Sequence, residues 1–155
     1  MIDLHAHTTI SDGSVTPKEL INIAKKTGLS SVAITDHDNI AGHDEAQREA
    51  DRLGVRLIKG IEFSVGYNNR IIHILGLGIE PECEGFMSVY NKFRQEKSEK
   101  LSHVLDKLNY MDVKINREDI MPFVTGGYMD RQAVAKYLIA AGYADTNRSA
   151  WMTYL

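Results

Sequence analysis

Six residues in the first half of the chain carry side chains suited to a divalent metal: His5, His7, Asp12, His37, Glu62 and His73. His5 and His7 are two positions apart. On a β-strand that spacing turns both imidazoles to one face, which makes half of a transition-metal site. Asp12 follows in a Ser-Asp-Gly turn, where Gly13 lets the backbone double back and return a carboxylate to the mouth of the same strand. His37 lies in the polar run Asp36-His37-Asp38-Asn39, Glu62 follows an apolar run, and His73 is the polar residue inside another apolar run. Imidazoles and carboxylates converging in this way suit Zn²⁺, Mn²⁺ or Fe²⁺, and suit more than one ion. Glu62 has two oxygens and can bridge two ions. No cysteine falls among these positions, which argues against a structural thiolate site. A multi-ion site with open positions generates a nucleophile from water at neutral pH and clamps the attacking and leaving oxygens of phosphoryl transfer. The chemistry indicated is metal-assisted hydrolysis, of a phosphate ester rather than an amide.

These residues need elements to position them. Residues 2–7 read as a first strand, with Ile2, Leu4 and Ala6 on the face opposite the histidines, able to pack under a helix. Thr16-Pro17-Lys18-Glu19 announces a helix: Thr16 as N-cap, Pro17 in the first helical position, Glu19 closing a capping box. Gly28 ends it. Residues 31–35 form a second strand that opens into the Asp36–Asn39 cluster. A second helix spans about 42–53 with Gly54 as its stop, and 55–61 is a third strand with Glu62 at its end. This βαβαβ order predicts a parallel sheet or barrel. The link between 63–65 and 71–75 is too short for a helical crossover, so 66–70 is expected to be a hairpin turn. After Pro81 the pattern turns helical: 82–109, a short helix near 116–123, another over 130–141, and a last one capped by Thr146. The expected division is therefore an α/β part, 1–80, and an all-helical part, 81–155. His43 at a helix start reads as a solvated or capping residue. His103 reads as a surface or packing residue of the long helix.

The composition narrows the function classes. The chain has 155 residues, 43% hydrophobic and 25% charged, enough for one domain with a real core. A net charge of −3 without a Lys/Arg tract gives no footprint for long nucleic acid. No apolar run approaches transmembrane length. The single cysteine, Cys83, fits a reducing compartment, and the first strand begins too early to leave room for a signal peptide, so a cytoplasmic location is expected.

Taken in order, Asp-Leu-His-Ala-His-Thr with Ser-Asp-Gly, Ala-Ile-Thr-Asp-His-Asp, Gly-Ile-Glu-Phe-Ser and His-Ile-Leu-Gly resemble the successive motifs of the PHP (polymerase and histidinol phosphatase) superfamily. The likeness is to its stand-alone metal-dependent phosphoesterases. The resemblance implies a distorted β/α barrel, here only its N-terminal strands, with 81–155 as a helical insertion subdomain. It implies two or three divalent ions (Mn, Zn or Fe). His5 and His7 would serve the first ion, Glu62 would bridge, His73 would serve the second, and Asp12 with His37 the third. It implies hydrolysis, by metal-activated water, of phosphate esters of nucleotides, short oligonucleotide ends or small metabolites. The insertion in such proteins often carries Arg-x-His against substrate phosphate. Here the run is Arg131-Gln132-Ala133, with the arginine but not the histidine.

The later ligands of such barrels have no counterpart after His73 in this sequence. The missing groups would come from a C-terminal half or a partner subunit, or be replaced by water. The alternative is a non-catalytic PHP-derived module that binds metal or a nucleotide. A His-x-His amidohydrolase fits less well, because Asp12-Gly13 and Thr35–Asp38 match that pattern poorly. Strands left without neighbours would expose edges and apolar side chains, so a homo-oligomer or completion by a further segment is expected.

Overall fold

The computed structural model describes residues 1–68 and 70–155, and the chain divides into two compact units, Met1–Phe86 and Met87–Leu155. The first unit is built on a curled, four-stranded half-barrel sheet in the order β1 (Ile2–Asp3), β2 (Ser31–Ile34), β3 (Arg56–Tyr67) and β4 (Arg70–Leu77). β1, β2 and β3 are parallel, linked by α1 (Pro17–Lys26) and α2 (His43–Leu53). β4 returns antiparallel to β3. The two helices bury Ile21 and Ala24 of α1 and Ala46 and Ala50 of α2 against Val32 and Ile34 of β2 and Val55. Each fully buried Val or Ile among them contributes about 1.5–3 kcal/mol.

The start of α1 follows the sequence signals. Thr16 Oγ1 accepts from the Glu19 amide, the Glu19 carboxylate accepts from the Thr16 amide at 2.8 Å, and Pro17 takes the first turn. α2 ends on Gly54 at φ 66°, a left-handed cap that favours glycine.

Two strands depart from expectation. β1 is a two-residue ladder rather than a strand through residue 7. Beyond it the chain stays attached through Thr35, whose amide donates to the Ala6 carbonyl at 2.9 Å. Only Ala6 of the expected packing face joins the core; Ile2 and Leu4 are exposed. β3 does not end at Glu62 but runs through it. Residues 56–59 pair with β2, and 60–67 pair with β4 from Gly60↔Leu77 to Tyr67↔Arg70. With neither glycine nor proline between Ile61 and Phe63, nothing in the chain interrupts the strand. The turn expected over 66–70 includes Asn69, which lies outside the described residues; Asn68 beside it has φ 47°. β1 and β4 are the edges of the sheet, and Ile71, Ile72, Ile74 and Leu77 of β4 are exposed.

The second unit is helical: α3 (Glu84–Tyr110, entering from the end of the first unit), α4 (Arg117–Ile120) with a 3₁₀ turn at Met121–Phe123, α5 (Arg131–Ala140) and α6 (Asn147–Tyr154). Leu101, Leu105 and Leu108 of α3 pack with Ile120, Val134 and Leu138. Asn116, Asp130 and Thr146 cap α4, α5 and α6 with their side chains. Arg94 of α3 is 1% exposed, and its guanidinium binds the Asp130 carboxylate at 2.8 Å and the carbonyls of Thr125 and Tyr128. No helix among the described residues is long and apolar enough to cross a membrane.

Candidate metal centre

The site lies where the parallel strands end. β2 stops at Ile34 and hands the chain to Asp36–Asp38, which bonds to mid-β3 on both sides of one residue. The Glu62 amide donates to the Asp36 carbonyl at 3.2 Å, and the Asp38 amide donates to the Glu62 carbonyl at 3.0 Å. This pairing sets His37 beside Glu62 in parallel register. On β4, His73 is paired with Ser64, one pleat along from the Glu62↔Leu75 pair, so its side chain shares the face of Glu62.

Glu62 is the centre of the cluster and 7% exposed. Its Oε2 lies 2.9 Å from His5 Nε2, 3.0 Å from His7 Nε2 and 3.6 Å from His37 Nδ1. Its Oε1 lies 3.1 Å from His73 Nδ1. The four imidazoles form a row, with centroids 5.1 Å apart for His5–His7, 4.6 Å for His7–His37 and 4.7 Å for His37–His73. The side chains of His5 and His73 are 52% and 45% exposed and form a rim open to solvent. Asp12 completes the far side, with Oδ1 3.1 Å from His7 Nδ1 and Oδ2 3.8 Å from His37 Nε2.

Asp12 reaches this place because residues 8–13 close tightly on the first strand. The amides of Ser11 and Gly13 both donate to the Thr8 carbonyl, at 3.0 and 2.9 Å. A Cβ on Gly13 would stand 2.3 Å from the His7 carbonyl oxygen, so only glycine fits. Gly13→Ala is expected to destabilise the first unit by about 3 kcal/mol, the upper end for overpacking, since backbone atoms cannot yield as side chains do. Thermal unfolding of the variant checks this.

Burial and charge separate the histidines. Asp12 accepting from His7, helped by the charges of Asp12, Glu62 and Asp36, raises His7 above its ordinary 6.5 against the opposing effect of burial. The same bond from His7 holds Asp12 at about 2. Burial lowers His37. For Glu62, burial is the largest single influence and acts upward. The His5 hydrogen bond and the charges of His37, His5 and His7 together outweigh it, so the carboxyl lies below its usual range. In the metal-free chain, imidazole titration by NMR is therefore expected to place His7 above 6.5 and His37 below it. Asp12→Asn should bring His7 down. The His7–Asp12 pair stabilises the metal-free chain fully between 3.8 and 6.5. It fades as pH rises through the His7 value or falls through about 2.

The cluster fits metal. Donor atoms around one ion at about 2.1 Å lie roughly 3–3.5 Å apart, close to the spacings from Glu62 to His5, His7 and His73. Three groups, His5/His7/Glu62, His7/Asp12/His37 and His37/Glu62/His73, each present one donor atom per residue within 4.8 Å of the others. His37 Nδ1 is buried without a hydrogen-bond partner among the described residues, as a ring nitrogen facing a ligand position would be.

All six residues singled out in the first half of the chain thus come together. Arg131, expected to meet substrate phosphate, starts α5 in the helical unit, with its guanidinium 4.9 Å over the Trp151 ring. His43 is not the solvated cap expected of it. It is 3% exposed, and its Nε2–H donates to the Gly60 carbonyl at 2.9 Å. Its phase with Ala46 and Ala50 on the buried side of α2 was the available signal. The Asp36 carboxylate accepts from Thr8 and Ser11.

A half-barrel with imidazoles and carboxylates gathered beside its parallel strands is an α/β module with a cluster able to hold metal. The PHP domain model matches residues 3–137, and the chain belongs to that family. It is 33% identical to a 5'-3' exoribonuclease of Haemophilus influenzae, over 99% of this chain and 56% of the relative. It is 30% identical to a 3',5'-nucleoside bisphosphate phosphatase of Chromobacterium violaceum, over 99% and 54%. A solved structure described as a metal-dependent phosphoesterase from Bifidobacterium adolescentis superposes with a TM-score of 0.84 at 31% identity, covering 99% of this chain and 54% of that one. The chain spans about half the length of these relatives.

Proposed function

We propose that this chain carries the metal-binding part of a metal-dependent phosphoesterase. The observation that supports it most is the division of the Glu62 carboxylate, one oxygen toward His5 and His7 and the other toward His73. That is the arrangement of a carboxylate shared by two ions. His5, His7 and Glu62 would hold one ion, Glu62 with His73 a second, and Asp12 with His37 a third; Mn²⁺, Zn²⁺ and Fe²⁺ all suit these donors. Bound there, such ions supply Lewis acidity, polarising phosphoryl oxygens and bringing the pKa of water toward neutrality.

The chain's own groups do the rest. Asp12 accepts the His7 Nδ1 proton and so would leave Nε2 unprotonated, free to ligate an ion together with Glu62. Glu62 forms the floor, and the exposed His5 and His73 leave the approach to it open. The substrate class is a phosphate ester of a nucleotide, an oligonucleotide end or a small metabolite, in keeping with the exoribonuclease and bisphosphate phosphatase relatives. Arg131, at the first turn of α5, is the residue we assign to substrate phosphate. A cytoplasmic setting accords with the single exposed Cys83.

The exposed apolar residues of β4 favour a second reading, in which this chain alone binds metal without turnover. Activity would then need a C-terminal half or a partner copy. Hydrolysis of p-nitrophenyl phosphate and bis-p-nitrophenyl phosphate, with and without chelator, separates the two. Turnover abolished by chelator and restored by Mn²⁺ is expected of the first reading. Metal binding with no turnover supports the second.

A further inference from the structure

Asp36 is fully buried and makes no ion pair among the described residues. A buried carboxylate without a cation is costly unless hydrogen bonds satisfy it. Here four do. Oδ1 accepts from the Thr8 amide at 2.7 Å, the Ser11 amide at 3.3 Å and the Ser11 hydroxyl at 2.6 Å, and Oδ2 accepts from the Thr8 hydroxyl at 2.7 Å. All four donors belong to the turn that carries Asp12. The backbone of the same residue accepts from the Glu62 amide. Asp36 therefore joins the two halves of the cluster: its main chain holds Glu62, and its side chain holds the turn that presents Asp12 to His7 and His37.

We infer that Asp36 is a positioning residue for the ion held by Asp12 and His37, fixing the Thr8–Ser11 turn so that the Asp12 carboxylate meets His37 across the site. This rests on the metal reading above and adds to it a residue outside the ligand set. A neutral tie would hold a loop as well. A carboxylate also adds negative charge beside three candidate cation positions, which offsets its own burial once ions are bound.

The test is a Mn²⁺ titration followed by the EPR signal of the free ion, on the wild-type chain and on Asp12→Ala, Asp36→Ala and Asp36→Asn, each confirmed folded by circular dichroism. Asp12→Ala identifies which class of site belongs to the turn. Asp36→Ala is expected to weaken that same class by about 10- to 100-fold and leave the other ions bound as in the wild type. Asp36→Asn, which keeps the shape and most of the acceptors, should recover part of the loss. A residue that merely supports the fold would lower the unfolding temperature and leave the ion count of the folded chain intact. Equal Mn²⁺ binding by folded Asp36→Ala and wild type overturns the inference. If Asp36→Ala does not fold, the double variant Thr8→Val/Ser11→Ala decides, with the same selective loss expected and unchanged binding contradicting it. Failure of the wild type itself to bind Mn²⁺ refutes the metal reading and this inference together, an outcome distinct from all the others.

Discussion

Glu62→Gln is expected to abolish two of the candidate ion positions at once. Glu62 belongs to two of the three donor groups, and its two oxygens face different imidazoles. An amide keeps the volume but offers one neutral oxygen in place of two charged ones. Both shared positions lose their common ligand, while Asp12 with His37 keeps its own. Losing a partner that only orients a ligand costs 10–100-fold in metal affinity or activity, so losing the bridging ligand should cost more than about 100-fold in each. Metal analysis of the dialysed variant checks the first effect and phosphodiester turnover the second. The substitution also removes the stability that an ionised Glu62, held below its ordinary 4.5, gives the metal-free chain above that value, so wild type and variant should converge as pH falls through the lowered Glu62 value. A variant that retains the wild-type ion count excludes a bridging role for Glu62.

Arg94→Ala is expected to be the most damaging change in the helical unit. The guanidinium is 1% exposed and donates to Asp130 and to two carbonyls of the 125–128 loop. The Tyr128 ring lies 5.4 Å from it. Asp130 is also the N-cap of α5, with its Oδ1 on the Ala133 amide at 2.9 Å. Truncation takes the cation from a half-buried carboxylate and one donor from each of two carbonyls. Breaking a buried pair from one side costs about 3–5 kcal/mol. Arg94→Lys should recover only a fraction of this, because one ammonium cannot serve a carboxylate and two carbonyls from the same direction. Chemical unfolding of the two variants beside wild type measures it.

Much of the candidate cluster was legible because few residue types can ligate a metal. Histidines two apart, and single carboxylates or histidines beside or inside apolar runs, are uncommon patterns with a specific chemical use. The caps of α1, α4, α5 and α6 were legible for a similar reason, since Thr16, Asn116, Asp130 and Thr146 satisfy helix amides locally. What escaped depends on partners distant in sequence. The Gly60 carbonyl that receives His43 is 17 residues away, and the loop that receives Arg94 is more than 30 away. Both residues sit in phase with the buried stripe of their helix, His43 with Ala46 and Ala50, Arg94 with Tyr90, Leu101 and Leu105. A polar residue in an apolar stripe points to burial but does not name its partner. The continuity of β3 through Glu62 is likewise a matter of which strand pairs on each side, and local propensity does not record that.

The central claim is that His5, His7, Asp12, His37, Glu62 and His73 form one centre for several ions. Its most direct test is the number of Mn²⁺ or Zn²⁺ ions per chain after loading and exhaustive dialysis, measured by elemental analysis. Two or more ions per chain, falling by at least one in His7→Ala, is the predicted result. One ion or none in the wild type, or a count unchanged by His7→Ala, contradicts it.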